Sequence, residues 1–433
     1  MGLKIHSMRN TIIQIKRNKK FIQYFSWRSS QILIKGITTL VILGISINYL
    51  TSTQYGIITY LTSLLTLFLI FCDFGISAAA SKFTAEYIAT KSENVRKIFG
   101  SSSFIILIFA LLTSIVILFL GKLQLSEYYA LVLFLIPCLF LAPISALLDG
   151  IYRGTRKFKE LFYRNLYASI LTIIASFYLI MTFKVKGALI ALIIANLFSA
   201  VAMILSDKII ISECSISVMK DVTKYALYIG FANISYFMYT QVDILILERF
   251  GFITEIGYYG IIDRIFNFFL IPSIILGQVI APEISSLSIT KNTKSINKFF
   301  KLTFVFGIPI AIIITLIIYL IGINILTLWG GQYKTQSFII IFRLLTFLLP
   351  LKLWSSFTVN GFITPSGNVY IITILTFISG ISNIILDLIL IQLYGFIGIF
   401  IATIVVHSLC IILVNLFFYK KITREEICHL QNI

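Results

Sequence analysis

Four ionisable residues lie inside two long apolar stretches in the middle of the chain, where they could bind ions or charged groups. The stretches cover residues 225–250 and 257–287, and each exceeds the ~20 apolar residues that cross a bilayer. Apart from Glu248 and Arg249 at the end of the first stretch, their charged residues are Asp243, Asp263, Arg264 and Glu283. A charge at membrane depth costs about 2.5–3.5 kcal/mol by insertion scales, so it normally faces a partner, a ligand or a water-filled cavity. These helices are therefore expected to line a pathway through the membrane.

Lys35 and Asp73 lie at similar depths in the first two apolar spans, ~10 Å and ~12 Å from the span ends at ~1.5 Å per residue. Asp243 and Arg264 also lie at similar depths, near the other ends of their spans. One interpretation is that the chain buries two ion pairs, Lys35–Asp73 and Asp243–Arg264, which would let the charges remain in the membrane. Alternatively, the Lys35 side chain extends along its helix to the nearby membrane surface.

Arg343 and Lys352 lie in one later span that contains no acidic residue. They are nine residues apart, which places them on opposite faces of a straight helix. Pro350 lies between them, and a proline bend would bring both side chains toward one cavity. We expect at least one of the two to line an aqueous lumen. The alternatives are that they pair with Asp387 or Asp263, or that the Lys352 side chain extends along its helix to the membrane surface.

Basic side chains in a membrane lumen could replace the hydration shell of a transported anion such as phosphate or diphosphate, which arginine can bind with two parallel hydrogen bonds. The candidate substrate-binding residues are Lys35, Arg264, Arg343 and Lys352. Carboxylates in the same lumen could bind H⁺ or Na⁺ and couple its gradient to transport. The candidate ion-coupling residues are Asp73, Asp243 and Asp263. Asp149 and Glu283 lie at span ends and are interpreted as interfacial.

The composition indicates a membrane protein. Of the 433 residues, 59% are hydrophobic and 12% are charged, against ~25% charged residues in a soluble domain. The net charge is +18, but the basic residues lie in short segments between apolar spans, so the charge does not predict nucleic-acid binding. The three histidines are scattered and no two cysteines have CxxC spacing, so the sequence predicts no metal site.

The hydropathy pattern predicts twelve membrane spans. Their approximate bounds are 28–49, 56–81, 99–121, 127–149, 162–183, 187–206, 225–250, 257–287, 301–322, 336–360, 368–391 and 395–418. Of the 35 Lys and Arg residues, 26 lie in the segments on one side of this topology, flanks included, and five in those on the other. Because basic loops stay on the cytoplasmic side, both termini are predicted to be cytoplasmic. Pro272 and Pro282 are expected to bend or break the eighth helix.

The chain also contains a trace of an internal repeat. The sequence Tyr-Gly-Ile-Ile occurs at residues 55–58 and, 204 residues later, at 259–262. Together with the division of the spans into six and six, it suggests two parallel repeats related by an axis along the membrane normal. The predicted organisation is a basic cytoplasmic tail at 1–27, an N-lobe at 28–206, a cytoplasmic linker at 207–224, a C-lobe at 225–418 and a second cytoplasmic tail at 419–433.

The sequence indicates neither ATP hydrolysis nor glycan chemistry. Gly121-Lys122 is followed by Leu123 and lacks the earlier glycine of a G-x-x-x-x-G-K-[ST] loop. A glycan polymerase or ligase would need catalytic residues on a sizeable external loop, and the predicted outer loops are all short. We therefore expect a transporter that is not an enzyme, that needs no cofactor, and that draws on an H⁺ or Na⁺ gradient or on downstream consumption of its substrate.

Several blocks of sequence resemble the polysaccharide-repeat-unit flippases. The blocks are NYL at 48–50, QYG at 54–56, DFGI at 73–76, QVDILIL at 241–247, GYYG at 257–260 and IAPEIS at 280–285. With the number and spacing of the helices, they make nearly the whole chain similar to the O-antigen (Wzx-type) translocases. These belong to the multidrug/oligosaccharidyl-lipid/polysaccharide exporter (MOP) superfamily.

The resemblance implies an all-α polytopic membrane protein with two six-helix lobes around a central cavity. Such proteins use alternating access to move an undecaprenyl-diphosphate-linked oligosaccharide repeat unit, of O-antigen or capsule type, across the bacterial inner membrane. The four basic candidates would then bind the diphosphate or an acidic glycan. Implied partners are the lipid-linked substrate and membrane lipids, and they could include a glycan polymerase and chain-length proteins of lipopolysaccharide biosynthesis.

Two other functions remain open within the same superfamily. A multidrug exporter would typically extrude cationic or amphipathic compounds, for which acidic rather than basic residues suit a lumen. A flippase for lipid-linked peptidoglycan precursors would have a similar fold and would also bind a diphosphate.

Overall fold

The computed structural model describes residues 2–90, 92, 94–124, 127–206, 213–329 and 335–431, and these residues form helices joined by short connections. The first half of the chain contains α1 (Gly2–Tyr49), α2 (Ser52–Asp73), α3 (Ile76–Ala89), α4 (Val95–Gln124), α5 (Tyr129–Leu133), α6 (Ile136–Gly154) and α7 (Phe158–Ser206). We call the side of the membrane where α1 begins the tail side.

The second half contains α8 (Ile216–Thr240), α9 (Val242–Arg249), α10 (Ile253–Ile289), α11 (Thr293–Leu302), α12 (Ile308–Trp329), α13 (Gln336–Thr346), α14 (Leu349–Thr358), α15 (Val369–Tyr394) and α16 (Phe396–Gln431). Two π-helical turns, Thr303–Gly307 and Val359–Ile363, lie between α11 and α12 and after α14. The α16 helix ends on the tail side, where Asn297 of α11 donates a hydrogen bond to Glu426.

All twelve predicted spans coincide with helices. Within the described residues, nine helices are long and apolar enough to cross a membrane, and the pair α13 and α14, bent by 41°, makes a tenth. The α7 helix contains both spans 162–183 and 187–206, and the non-helical backbone at Lys184 separates the two. The less apolar pair α8 and α9 covers span 225–250. The prediction of an all-helical polytopic membrane protein is confirmed.

The helix breaks differ from those expected. The α10 helix continues through Pro272 and Pro282. Instead, the second predicted span breaks after Asp73, where Phe74 and Gly75 have φ of 41° and 83°. The bend near Pro350 is confirmed, since α13 and α14 meet there. The predicted tails at 1–27 and 419–433 continue α1 and α16 as helices up to Gln431.

The two halves meet where the sequence repeat occurs. On the side opposite the tails, α2 and α10 cross at glycines. A Cβ atom on Gly56 would lie 1.9 Å from the Ile253 carbonyl oxygen, and one on Gly257 would lie 2.2 Å from that of Ser52. Only glycine permits this approach, as in other membrane helix pairs. The crossing therefore closes the seam between the halves on that side.

We expect Gly257→Ala to destabilise the protein, because the new methyl group would meet backbone atoms of Ser52 and Gly56 on α2. Overpacking of this kind typically costs about 1–3 kcal/mol. Thermal unfolding of the purified protein would measure the loss. Gly44→Ala on α1 is a matched control, since a Cβ there would meet no atom within 4 Å. Equal unfolding temperatures for the two variants would contradict this account of the crossing.

Candidate functional site

A cluster of charged side chains joins α1, α6 and α7 on the tail side of the first half. The Lys35 Nζ lies 3.5 Å from an Asp149 carboxylate oxygen, and Arg164 pairs with the other oxygen of the same carboxylate. Only 7% of the Arg164 side chain is exposed, whereas 54% of the Lys35 side chain is. Arg164 and Asp149 therefore form a buried pair that supports an accessible ammonium group.

Two more arginines make this cluster strongly basic. Arg28 and Arg153 act electrostatically on Lys35, and Arg153 is also a charged neighbour of Asp73. The Arg28 guanidinium donates to Gln31 Oε1 over 2.5 Å. In the described part of the chain, the cluster thus combines four basic residues with the carboxylates Asp73 and Asp149. Its positive charge exceeds its negative charge by two, which suits a ligand with two or more negative charges.

The hypothesis of a Lys35–Asp73 ion pair is wrong. Asp73 accepts hydrogen bonds from the Ser77 backbone N–H, at 3.0 Å, and from the Ser77 hydroxyl. The left-handed turn at Phe74–Gly75 interrupts the helix, and Asp73 accepts from a free N–H at the start of α3. Asp149 is Lys35's partner instead. The α6 helix continues five residues beyond Asp149 to Gly154, and the interfacial position of Asp149 stays a prediction.

A second polar site lies inside the second half, between α9, α15 and α16. Asn383 Nδ2 donates to Asp243 at 2.5 Å and to Asp387 at 3.2 Å. The Thr403 hydroxyl lies 2.7 Å from the other Asp243 oxygen. Asp243 is 1% exposed, and the other three residues are equally buried. Two carboxylates therefore share one amide group in a site without solvent.

This arrangement suits a bound proton or a hard metal cation. Two ionised carboxylates in one buried site repel each other, and a cation or proton between them removes the repulsion. Asp387 Oδ1 and Asn383 Oδ1 have no hydrogen-bond partner among the described residues. Oxygen atoms from carboxylates, amides and hydroxyls are the ligands that hard cations prefer. We call Asp243, Asn383, Asp387 and Thr403 the carboxylate site.

The hypothesis of an Asp243–Arg264 ion pair is also wrong. The helix is interrupted at Gln241, between α8 and α9. Asp243 therefore lies in the first turn of α9, and its side chain contacts α15 and α16. Arg264 lies over the Tyr55 ring at 5.5 Å, and Asp263 accepts a hydrogen bond from Asn267 at 2.8 Å.

Asp263 and Arg264 line a polar crevice of about 150 Å³ at the seam between the halves. Its other polar side chains are Thr59, Thr62, Ser63, Thr66, Gln241 and Tyr259. Thr59, Thr62 and Thr66 donate their hydroxyl protons to carbonyl groups of α2, so their oxygen lone pairs remain available in the crevice. The crevice therefore offers many acceptors, with Arg264 as its cationic side chain.

The structure does not bring the four predicted basic residues into one cluster. Arg343 lies over the Tyr319 ring at 6.0 Å. Lys352 is an electrostatic neighbour of the buried His407, whose Nε2 lies 2.7 Å from the Tyr239 carbonyl oxygen. Lys35 belongs to the basic cluster and Arg264 to the crevice. These four residues thus have distinct surroundings.

Most partners of the candidate residues do not follow from the positions of charged residues within the spans. Arg28, Arg153 and Arg164 were assigned to loops or flanks, and Asn383 and Thr403 carry no charge. A search for polar residues four positions apart within the spans would have found Asn383 with Asp387 and Thr403 with His407, since such pairs share a helix face.

We expect Arg164→Met to destabilise the protein by about 3 kcal/mol. Removing one partner of a buried ion pair costs about 3–5 kcal/mol, and the nearby Lys35 would place this variant at the lower end. Chemical or thermal unfolding in detergent would measure it. The double variant Arg164→Met/Asp149→Leu should recover most of the loss, because no buried charge remains unpaired. A double variant as unstable as the single one would contradict this explanation.

Comparisons with known proteins agree with this architecture. A family model described as polysaccharide biosynthesis protein matches residues 22–288. No curated protein sequence matches the chain. The inward-facing structure of a multidrug resistance MATE family transporter of the MOP superfamily aligns with a TM-score of 0.78 and 15% identity, over 90% of this chain and 95% of that one.

Two further solved structures share the fold. The inward closed conformation of the lipid II flippase MurJ aligns with a TM-score of 0.71 and 19% identity, over 95% of this chain and 93% of that one. The outward-facing conformation of a MATE family transporter gives 0.65 and 15%, over 93% and 96%. Because the family model matches more than half of the sequence, the chain belongs to the polysaccharide biosynthesis protein family, and it has the MOP-superfamily fold of MATE transporters and MurJ.

Proposed function

We propose that this protein is a flippase that moves a polyprenyl-diphosphate-linked oligosaccharide repeat unit, of O-antigen or capsule type, across the bacterial inner membrane by alternating access. The main support for this proposal is the basic cluster around Lys35. A diphosphate entering this region would exchange its hydration for ammonium and guanidinium donors. The excess of positive charge disfavours the cationic compounds that a multidrug exporter would carry.

The proposed orientation has the same basis as the predicted topology, in which basic segments stay in the cytoplasm. With both termini in the cytoplasm, the basic cluster lies toward the leaflet in which a lipid-linked glycan would be synthesised. Arg264, Arg343 and Lys352 would then contact the diphosphate or an acidic glycan during later steps. The polar crevice between α2, α9 and α10 would offer acceptors to the hydroxyl groups of the sugar. Glycan polymerase and chain-length proteins would act on the product.

A bound cation would couple its gradient to this movement at the carboxylate site. The proposal retains Asp243 as an ion-coupling residue and adds Asp387, Asn383 and Thr403. Either H⁺ or Na⁺ satisfies the chemistry of two carboxylates that share one buried site. Asp263 would contribute to the crevice, and Asp73 would balance Arg153.

Depletion of the protein in its native cells tests the function. We expect a polyprenyl-diphosphate-linked oligosaccharide to accumulate in the cytoplasmic leaflet, and restored expression should remove it. Accumulation of a lipid-linked peptidoglycan precursor would identify the related flippase function instead. Sensitivity to cationic dyes without accumulation of any lipid-linked glycan would overturn the proposal in favour of a multidrug exporter.

A further inference from the structure

An apolar groove, separate from the charged sites, follows α10 and α12 through the second half of the protein. Its tail-side part is a cavity of about 580 Å³, and its other part is a cavity of about 330 Å³. Ile314 of α12 lines both cavities, so they form one continuous surface. Apart from Ser273, Thr303 and Glu283, the described lining consists of hydrophobic and glycine residues. We call this surface the α10–α12 groove.

The groove exists because its two walls are held apart. Both α10 and α12 pack on α14, but they make little direct contact with each other. One wall consists of the end of α11, the π-helical turn and α12. Along it, lining residues recur every three or four positions from Leu302 to Gly322 and therefore share one face. This stretch of about 20 residues is ~30 Å long. The groove thus extends through the ~30 Å of hydrocarbon in a bilayer.

Basic residues surround the tail-side end of the groove. The amphipathic helix α11 lies there and is anchored by Phe300, which packs on Phe418 with 5.1 Å between ring centroids. Its lysines Lys294, Lys298 and Lys301 are exposed, while the neighbouring Phe299 and Leu302 line the groove. Glu283 lines the groove at this end, and Glu426 accepts a hydrogen bond from Asn297 of α11. An amphiphile with an anionic head and a long apolar chain matches this arrangement of charge and apolar surface.

We propose that the α10–α12 groove binds the polyprenyl chain of the transported lipid, with its phosphate groups near the lysines of α11 before the diphosphate enters the basic cluster around Lys35. The inference rests on the proposed flippase function. A phospholipid acyl chain occupies one leaflet, about half of the ~30 Å hydrocarbon thickness, so it would fill only part of the groove. A long polyprenyl chain fills all of it. The α10 helix would separate the lipid chain from the head group, since its residues Asp263 and Arg264 line the polar crevice.

Binding to the purified protein in nanodiscs of zwitterionic phosphatidylcholine tests the groove. The probes are a polyprenyl phosphate of eleven isoprene units, farnesyl phosphate and phosphatidylglycerol, with bound lipids counted by native mass spectrometry. We expect the long polyprenyl phosphate to bind at least tenfold more tightly than either other lipid. Equal binding of phosphatidylglycerol would overturn the proposal and identify an ordinary anionic-lipid site. Equal binding of farnesyl phosphate would also overturn it, since the full length of the groove would then contribute nothing.

A matched pair of variants locates the bound chain. Ile314→Trp fills the place where the two cavities meet, and it should weaken binding of the long polyprenyl phosphate at least tenfold. Ile313→Trp is the control, because Ile313 is exposed on α12 but lines neither cavity. Equal effects of the two variants would overturn the assignment. The chain-length comparison uses the unmodified protein, so it remains decisive if Ile314→Trp fails to fold.

The binding assay tests the groove assignment and the depletion experiment tests the flippase function, so each can be refuted independently. If depletion causes no lipid-linked glycan to accumulate, the flippase function is wrong whatever the groove binds. If the glycan accumulates but Ile314→Trp binds polyprenyl phosphate normally, the function stands and the groove assignment is wrong.

Discussion

Asp243→Asn should strongly weaken the response of the protein to its coupling cation. In the wild-type protein, a cation that binds only the folded state raises the unfolding free energy by RT ln(1 + [L]/Kd), ~2.7 kcal/mol at a concentration of 100 Kd. Asparagine keeps the size of the side chain but removes one of the two carboxylates at the carboxylate site. Interactions with charged groups contribute about 1.5–3 kcal/mol, so we expect cation affinity to fall about 10- to 100-fold.

Thermal unfolding of the purified protein, titrated with Na⁺ at several pH values, measures this effect. Wild-type protein should become more stable as Na⁺ increases or, if the proton is the coupling ion, as pH falls. Asp243→Asn should need about 10- to 100-fold more of the cation for the same response. Asp221→Asn is a suitable control, because Asp221 lies on the same helix pair but is exposed and contacts Tyr87. A normal cation response in Asp243→Asn would exclude this site from coupling.

Asp387→Asn separates cation binding from simple charge repulsion. Like Asp243→Asn, it removes one carboxylate from a buried pair and should increase the stability of the cation-free protein, since the repulsion disappears. It should also weaken the cation response. Greater stability with an unchanged cation response would mean that the two carboxylates are a structural pair and that coupling occurs elsewhere.

The sequence predicted the membrane spans well because crossing a bilayer depends on the length and apolarity of a segment. It predicted breaks less well. Pro272 and Pro282 do not interrupt α10, whereas Gln241 and Phe74–Gly75 do mark breaks. A proline removes one hydrogen bond, which a membrane helix can accommodate locally. Where a span breaks depends on packing against the neighbouring helices.

The contacts of the candidate residues also depend on how the helices pack, which the sequence does not show. Asp243 was identified because a charge in an apolar span is costly and needs compensation. Its partner was predicted incorrectly, because depth along a helix does not determine which neighbour the side chain faces. In an apolar chain, lipid-facing and protein-facing sides have similar residues. Asn383 and Thr403 were not predicted because they are neutral, and the prediction rests on the cost of charged side chains within a span.

Lys35→Gln should weaken transport through loss of substrate binding. Lys35 is the exposed cation of the basic cluster, and its contact with a phosphate oxygen would be a charge-assisted hydrogen bond. Such bonds contribute about 1.5–3 kcal/mol, which corresponds to a 10- to 100-fold higher KM for the lipid-linked substrate. Lys35→Arg keeps the charge and should retain much of the wild-type activity. Lys420→Gln alters an exposed lysine of α16 and controls for the change in net charge.

Transport into proteoliposomes, with the substrate and the cation varied independently, distinguishes this lysine from the carboxylate site. Lys35→Gln should raise the substrate requirement and leave the cation requirement unchanged. Asp243→Asn should raise the cation requirement at every substrate concentration. If Lys35→Gln altered the cation dependence and left KM unchanged, Lys35 would act through its ion pair with Asp149. The basic cluster would then support the movement of the helices and would not bind the diphosphate.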